Sequence, residues 1–199
     1  MKGLLIVLLI ALVAGKLASQ SLVHRLIVLP SSTLHINGTT NINSYECAIA
    51  KYTGNDTLEL HEGGRKIRPV FVKGAVALDA SSCDCGIPLM TSDFRKAINA
   101  KEHPSIIIDF ISFERMPVYG NLQDQFKGIL KISIAGVTKV FEVNCSINVT
   151  QAGVIHLVGT REFNFEDFNI TPPTRMLGAI RVNQSLTVSF HLQLKLDQA

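Results

Sequence analysis

The sequence predicts an all-β chain built around one core, and three observations predict it. The first is the stretch Phe126–Ile147, FKGILKISIAGVTKVFEVNCSI. There Gly128, Leu130, Ile132 and Ile134 share one phase, with Lys127, Lys131 and Ser133 in the other. Beyond Ala135-Gly136 the alternation resumes, with Phe141, Val143, Cys145 and Ile147 set against Val140, Glu142, Asn144 and Ser146. A period of two means strand, because successive side chains leave a pleated backbone on opposite faces. Gly136 stands where a tight turn needs positive φ, so the stretch reads as a hairpin wetted on one face. The second observation is the end of the chain, where Leu186, Val188, Phe190, Leu192, Leu194 and Leu196 alternate with polar residues without a break. The third is that helical spacing occurs in one short stretch only, near residue 94.

The chain has 199 residues, 47% hydrophobic and 18% charged, enough to bury one core and to enclose a cavity. Residues 1–19 differ in kind. Lys2 precedes the apolar run Leu4–Val13, and the small residues Ala14-Gly15 and Ala18-Ser19 follow. That run is too short for a membrane span of about 20 residues and fits a secretory signal peptide, cleaved after Ser19 or, alternatively, Gly15. The expected organisation is therefore a leader over 1–19 and one domain over 20–199. Removing the leader takes away Lys2 and Lys16, which leaves 17 basic against 16 acidic residues, a net charge of +1. No basic patch interleaved with aromatics remains, so nucleic acid is not an expected partner. Stable membrane insertion is not expected after leader removal, and a homodimer stays open.

Taken in order, Ser31–Ile49 alternates in two phases, Leu34 and Ile36 and then Tyr45, Cys47 and Ile49, with a slip at Asn41–Ser44. This reads as one long strand with a bulge or corner. Lys51–Arg68 reads as an excursion with a short hairpin about Leu58–His61, and Val70–Asp79 as a strand with Val70, Val72, Val76 and Leu78 in phase. Thr91 or Ser92 offers an N-cap for a helix running to about Ala100. Its apolar side carries Met90, Phe94, Ala97 and Ile98, the expected lid over an open end of the sheet. Ile106–Phe113 and Gly153–Phe165 are further strands. In the second of these, the phase of Ile155, Leu157, Gly159, Phe163 and Phe165 also points Arg161 inward. Pro172-Pro173 keeps Glu166–Gly178 out of any central strand. Periodicity alone does not separate a barrel from a sandwich.

Catalytic chemistry has no visible seat. There is no H-E-x-x-H, G-x-S-x-G, P-loop or G-x-G-x-x-G pattern, and the carboxylates are scattered. His156 and His191 fall on the polar phases of their strands and read as solvated. Cys83-x-Cys85 lacks zinc-ligand spacing and a nearby His, so no metal is expected. Cys47, Cys83, Cys85 and Cys145 allow three disulfide pairings. Neither a cofactor nor an enzymatic activity is expected.

Three stretches resemble the YceI-like family. They are Met90-x-x-Asp93-Phe94…Ala97…His103-Pro104-x-Ile106, Gly128-x-Leu130-x-Ile132-x-x-x-Gly136-Val137-Thr138-Lys139, and Asp167-Phe168-x-Ile170-x-Pro172-Pro173-x-x-x-Leu177-Gly178. They keep the family order over about residues 70–196. The resemblance implies an eight-stranded antiparallel lipocalin-like barrel with one short helix capping an end. It also implies periplasmic or secreted export and an apolar interior holding a polyisoprenoid or similar long-chain lipid. On that reading the inward candidates are Ile106, Ile108, Phe110, Leu130, Ile132, Phe141, Val143, Leu186, Val188 and Phe190. Arg161 is the candidate anchor for a charged lipid end, and Met90, Phe94 and Ile98 form the lid. The same residues are compatible with a filled barrel that serves as a partner-binding or surface module. Tyr45-x-Cys47 and Cys85-Gly86 look like a Cys-bearing branch of the family. With export to an oxidising compartment, that points to a Cys47–Cys85 disulfide.

Overall fold

The period-two stretches become strands of one antiparallel sheet. The computed structural model describes residues 22–63 and 67–197; the expected leader lies outside the described residues. In chain order the strands are β1 (Val23–Val28), β2 (Thr33–Thr40), β3 (Ser44–Ile49), β4 (Thr57–His61), β5 (Val70–Lys73) and β6 (Ala75–Asp79). The helix α1 (Pro88–Ala97) follows, then β7 (Ser105–Phe113), β8 (Asp124–Ile134), β9 (Val137–Val149), β10 (Ile155–Asn164), β11 (Thr174–Arg175) and β12 (Ile180–Leu196). The ring runs β1-β4-β5-β7-β8-β9-β10-β12 and closes on β1, which makes an eight-stranded barrel.

The 17-residue β12 serves two successive neighbours on one side. Its first part, Val182–His191, pairs with β2, and its last residues, Leu194–Leu196, pair with β1. β1 and β2 thus act as one kinked strand along β12. The kink is held by Ser32, a fully buried hydroxyl that accepts the Gln193 N–H at 3.0 Å. The first of these strands was not legible in the sequence, because it is only six residues long.

Several expectations are corrected. Ser31–Ile49 is not one bent strand but a hairpin, β2 against β3, with Leu34 opposite Ile49 and Ile36 opposite Cys47. The slip at Asn41–Ser44 is its turn, where the Thr40 hydroxyl accepts the N–H groups of Ile42 and Asn43. The expected hairpin at Leu58–His61 is a single strand, β4, lying between β1 and β5. Val70–Asp79 breaks at Gly74, where a Cβ would stand 2.0 Å from the Phe110 carbonyl oxygen. The break reverses the facing, so Val70 and Val72 are exposed while Phe71 packs on Phe110 and Phe113.

The helix begins at Pro88, not at Thr91 or Ser92, and ends at Ala97 rather than Ala100. Proline at the first helical position needs no N–H partner and has its φ preset, which replaces a side-chain cap. Thr91 lies inside the helix. Its hydroxyl accepts the Cys85 N–H and donates to Asp84, each at 2.9 Å.

Candidate functional site

The barrel is filled at one end and hollow at the other. Away from the helix, Phe71, Phe110, Phe113, Phe126 and Phe190 form a chain of rings with centroids 4.7–6.2 Å apart. These edge-on and tilted pairings suit aromatic quadrupoles. Phe190 is the last ring of the chain and forms the floor of a cavity of about 60 Å³. Gly159, directly opposite in register, admits the Phe190 ring, since a Cβ there would stand 2.1 Å from its Cζ.

Of the expected inward residues, Ile106, Ile108, Ile132, Val143, Leu186, Val188 and Phe190 line this cavity, and so does Arg161. Phe110 and Leu130 do not. Both are fully buried in the filled half, Phe110 by its ring contacts and Leu130 across from it on β8. Phe141 is also outside the lining. Its ring is covered by the Phe163 ring at 4.9 Å and by the Arg161 guanidinium at 4.9 Å. Of the expected lid, Phe94 and Ile98 reach the cavity, whereas Met90 faces a neighbouring groove.

Residues that sequence reasoning did not assign complete the lining, among them Leu34, Ile36, Phe163, Phe165, Phe168 and Ile170. The phases of Leu34 and Phe163 were readable signals. Phe165 continued the inward phase of Phe163 although a 3-10 turn places it, and Phe168, from the same turn, carries no period-two signal. Among the described residues, Arg161 and Asn164 are the only polar side chains in the lining.

Beside the cavity, between α1 and the β2–β3 hairpin, lies a groove of about 190 Å³. Phe94 and Phe165 belong to the walls of both spaces and stand between them. Three contacts hold α1 over this region. Asp93 pairs with Arg175 of β11, and Arg95 Nε donates to the Cys83 carbonyl at 3.0 Å. The third is the Cys47–Cys85 disulfide, which joins β3 to the link before the helix. That disulfide lies where β3 meets this link only through Ala48 and Asp84, whose backbones exchange hydrogen bonds of 2.7 and 2.9 Å. Hydrogen bonds from the Gly86 N–H and the Thr91 hydroxyl hold the Asp84 carboxyl below its ordinary range.

Cys83 and Cys145 are buried free thiols, and burial pushes both up to about 12, which makes them inert near neutral pH. His156 and His191 are not simply solvated. They are half-buried, with Nδ1 of the first 2.7 Å from Nε2 of the second. Burial, then the neighbouring His156 and His35, lowers the His191 pKa. Among the described residues no group of three or more His, Cys, Asp or Glu is placed to hold a metal ion. No helix there is long and apolar enough to cross a membrane.

A closed antiparallel barrel with a one-ended apolar cavity under a tethered helix defines a lipocalin-like class. Residues 30–194 match the YceI-like domain model, and the chain belongs to that family. The fold is similar to that of Burkholderia cenocepacia BcnA, at 17% identity and TM-score 0.60, over 81% of this chain and 95% of that one. It is also similar to a polyisoprenoid binding domain from Saccharophagus degradans, at 11% identity and TM-score 0.62, over 87% of this chain and 98% of that one. No curated protein matches the chain.

Proposed function

We propose that this chain is an exported, non-enzymatic carrier or buffer of a polyisoprenoid or similar long-chain lipid, held in the helix end of the barrel. The observation that carries the reading is the cavity lining, apolar on every side except for Arg161 and Asn164. Such a wall recognises hydrocarbon by removing it from water, at about 0.8 kcal/mol per CH₂, and needs no elaborate polar site. Family membership and the likeness to a polyisoprenoid binding domain support it. The leader expected over residues 1–19 directs the chain to the periplasm or the exterior.

Ligand pockets usually hold about 300–1,000 Å³, so a cavity of about 60 Å³ is a closed state. Binding on this reading swings Phe94 and Phe165 aside and merges the cavity with the groove of about 190 Å³. The same small volume favours a second reading, a filled barrel that serves as a partner-binding or surface module. Displacement of a fluorescent polyene fatty acid by geranylgeraniol separates them. Saturable one-to-one displacement supports the carrier. No uptake of the probe at micromolar protein overturns it.

A further inference from the structure

The wall of the barrel is split beside the cavity. β9 and β10 pair from Val149 opposite Ile155 as far as Asn144 opposite Thr160, and no further. Both strands nevertheless continue, β9 back to Val137 along β8 and β10 on to Asn164 along β12. Residues 137–143 and 161–164 therefore face each other without a ladder, and the backbone groups along this seam need other partners.

Arg161 stands at the start of the seam, and its Nη1 donates across it to the Glu142 carbonyl. Its guanidinium lies 4.9 Å from the centre of the Phe141 ring and 5.7 Å from that of Phe163. Its Nε is buried and has no hydrogen-bond partner. Among the described residues no carboxylate comes within 4 Å of the guanidinium. Glu142, whose carbonyl it holds, has its carboxylate on Lys127, and Glu162, next in sequence, takes the Ser185 hydroxyl. The one charged residue in the cavity lining thus has a neutral peptide oxygen and two rings as partners, and no counter-ion.

A charged acceptor forms a shorter and stronger bond to guanidinium than a peptide oxygen does, and a carboxylate or phosphate can take the fork at two points. We infer that the β9–β10 seam is the head-group site, where Arg161 holds the anionic end of a single-chain amphiphile. The chain then runs inward along Val143, Leu186 and Val188 beneath Phe94. This inference rests on the lipid reading above and narrows it from any long chain to one ending in a carboxylate or a phosphate monoester.

The test compares ligands of matched chain at pH 7.5: hexadecanoate with hexadecanol and methyl hexadecanoate, and geranylgeranyl phosphate with geranylgeraniol. Each displaces the polyene probe from wild type, Arg161→Gln and Arg161→Lys, with melting curves to verify folding. One charge-assisted hydrogen bond makes the wild type prefer the anionic member of at least one series by about tenfold or more. Arg161→Gln loses that preference, binding anionic and neutral members alike, and Arg161→Lys keeps part of it. Preference in the fatty series alone marks a carboxylate ligand, preference in the isoprenoid series alone marks a phosphate, and either supports the site. Equal binding of anionic and neutral members by wild type overturns it, whether or not the variants fold, and leaves the lipid reading standing. A preference that survives in Arg161→Gln also overturns it, with Arg161 then only a plug in the seam. Failure of every ligand to displace or bind overturns both readings together.

Discussion

Cutting the Cys47–Cys85 disulfide tests how the helix is held over the cavity. The paired residues are 38 apart in sequence, and closing a loop of that length in the unfolded chain contributes about 4 kcal/mol in the chain-entropy model. Without the bond, β3 keeps only the two mutual backbone hydrogen bonds of Ala48 and Asp84 to the link that leads into α1. Those contribute about 0.5–1.5 kcal/mol each, less than the bond removed. A Cys47→Ala/Cys85→Ala variant should therefore lose about 4 kcal/mol in urea unfolding, which for a domain of this size lowers Tm by roughly 8–16 °C. Hydrogen exchange should show the Ala48 and Asp84 amides opening well before the β8–β9 hairpin. Thiol labelling after denaturation without reductant should tag Cys83 and Cys145 only. A Tm within about 2 °C of wild type, equivalent to about 0.5–1 kcal/mol, would refute the reasoning. So would labelling of Cys47 or Cys85 in unreduced protein.

Two further outcomes follow from the same structure. Phe110→Ala should cost about 3–5 kcal/mol because it opens a hole in the ring cluster of the filled half. Phe94→Ala, at the cavity wall, should cost less in urea unfolding but change probe affinity; equal stability losses with unchanged affinity would contradict the division of the barrel. The lowered His191 pKa makes the folded protein bind fewer protons there than the unfolded chain, whose histidine titrates near 6.5. Its contribution is complete above that pH and is lost as pH falls through the folded value, with His156, His35 and the Glu46 partner of His35 facing it. His191→Gln should flatten stability against pH between about 5 and 7, and an unaltered slope in melts across that range would remove the pair from the account.

The hairpin β8–β9 and the late part of β12 were legible because each buries one face only, so hydrophobicity reports the pleat directly. The kinks at Ser32 and Gly74 were not: Gly74 ends one alternation and starts another in the opposite phase, and Ser32 interrupts an alternation whose phase then resumes unchanged. A period count reads such a stretch as one strand or none. The lining contributed by Leu186, Val188 and Ile108 was readable from phase, but phase does not tell which end of a barrel is hollow. Phe110 shares the inward phase yet packs against the Phe190 ring and does not line the cavity. Phe168 escaped because a 3-10 turn places it. The Cys47–Cys85 pairing came from family resemblance, as spacing alone leaves three pairings equal. The seam at Arg161 had half a signal. Its inward phase was visible, and the missing ladder beside it was not.

Native mass spectrometry of the protein expressed from the full 199-residue sequence and purified without detergent tests the central claim most directly. The account predicts a protein mass carrying one lipid-sized adduct, lost on denaturation and recovered by organic extraction as a long-chain molecule with one acidic end. A bare protein mass that stays bare after incubation with hexadecanoate and with geranylgeranyl phosphate would contradict it and leave the filled barrel as the reading of this fold.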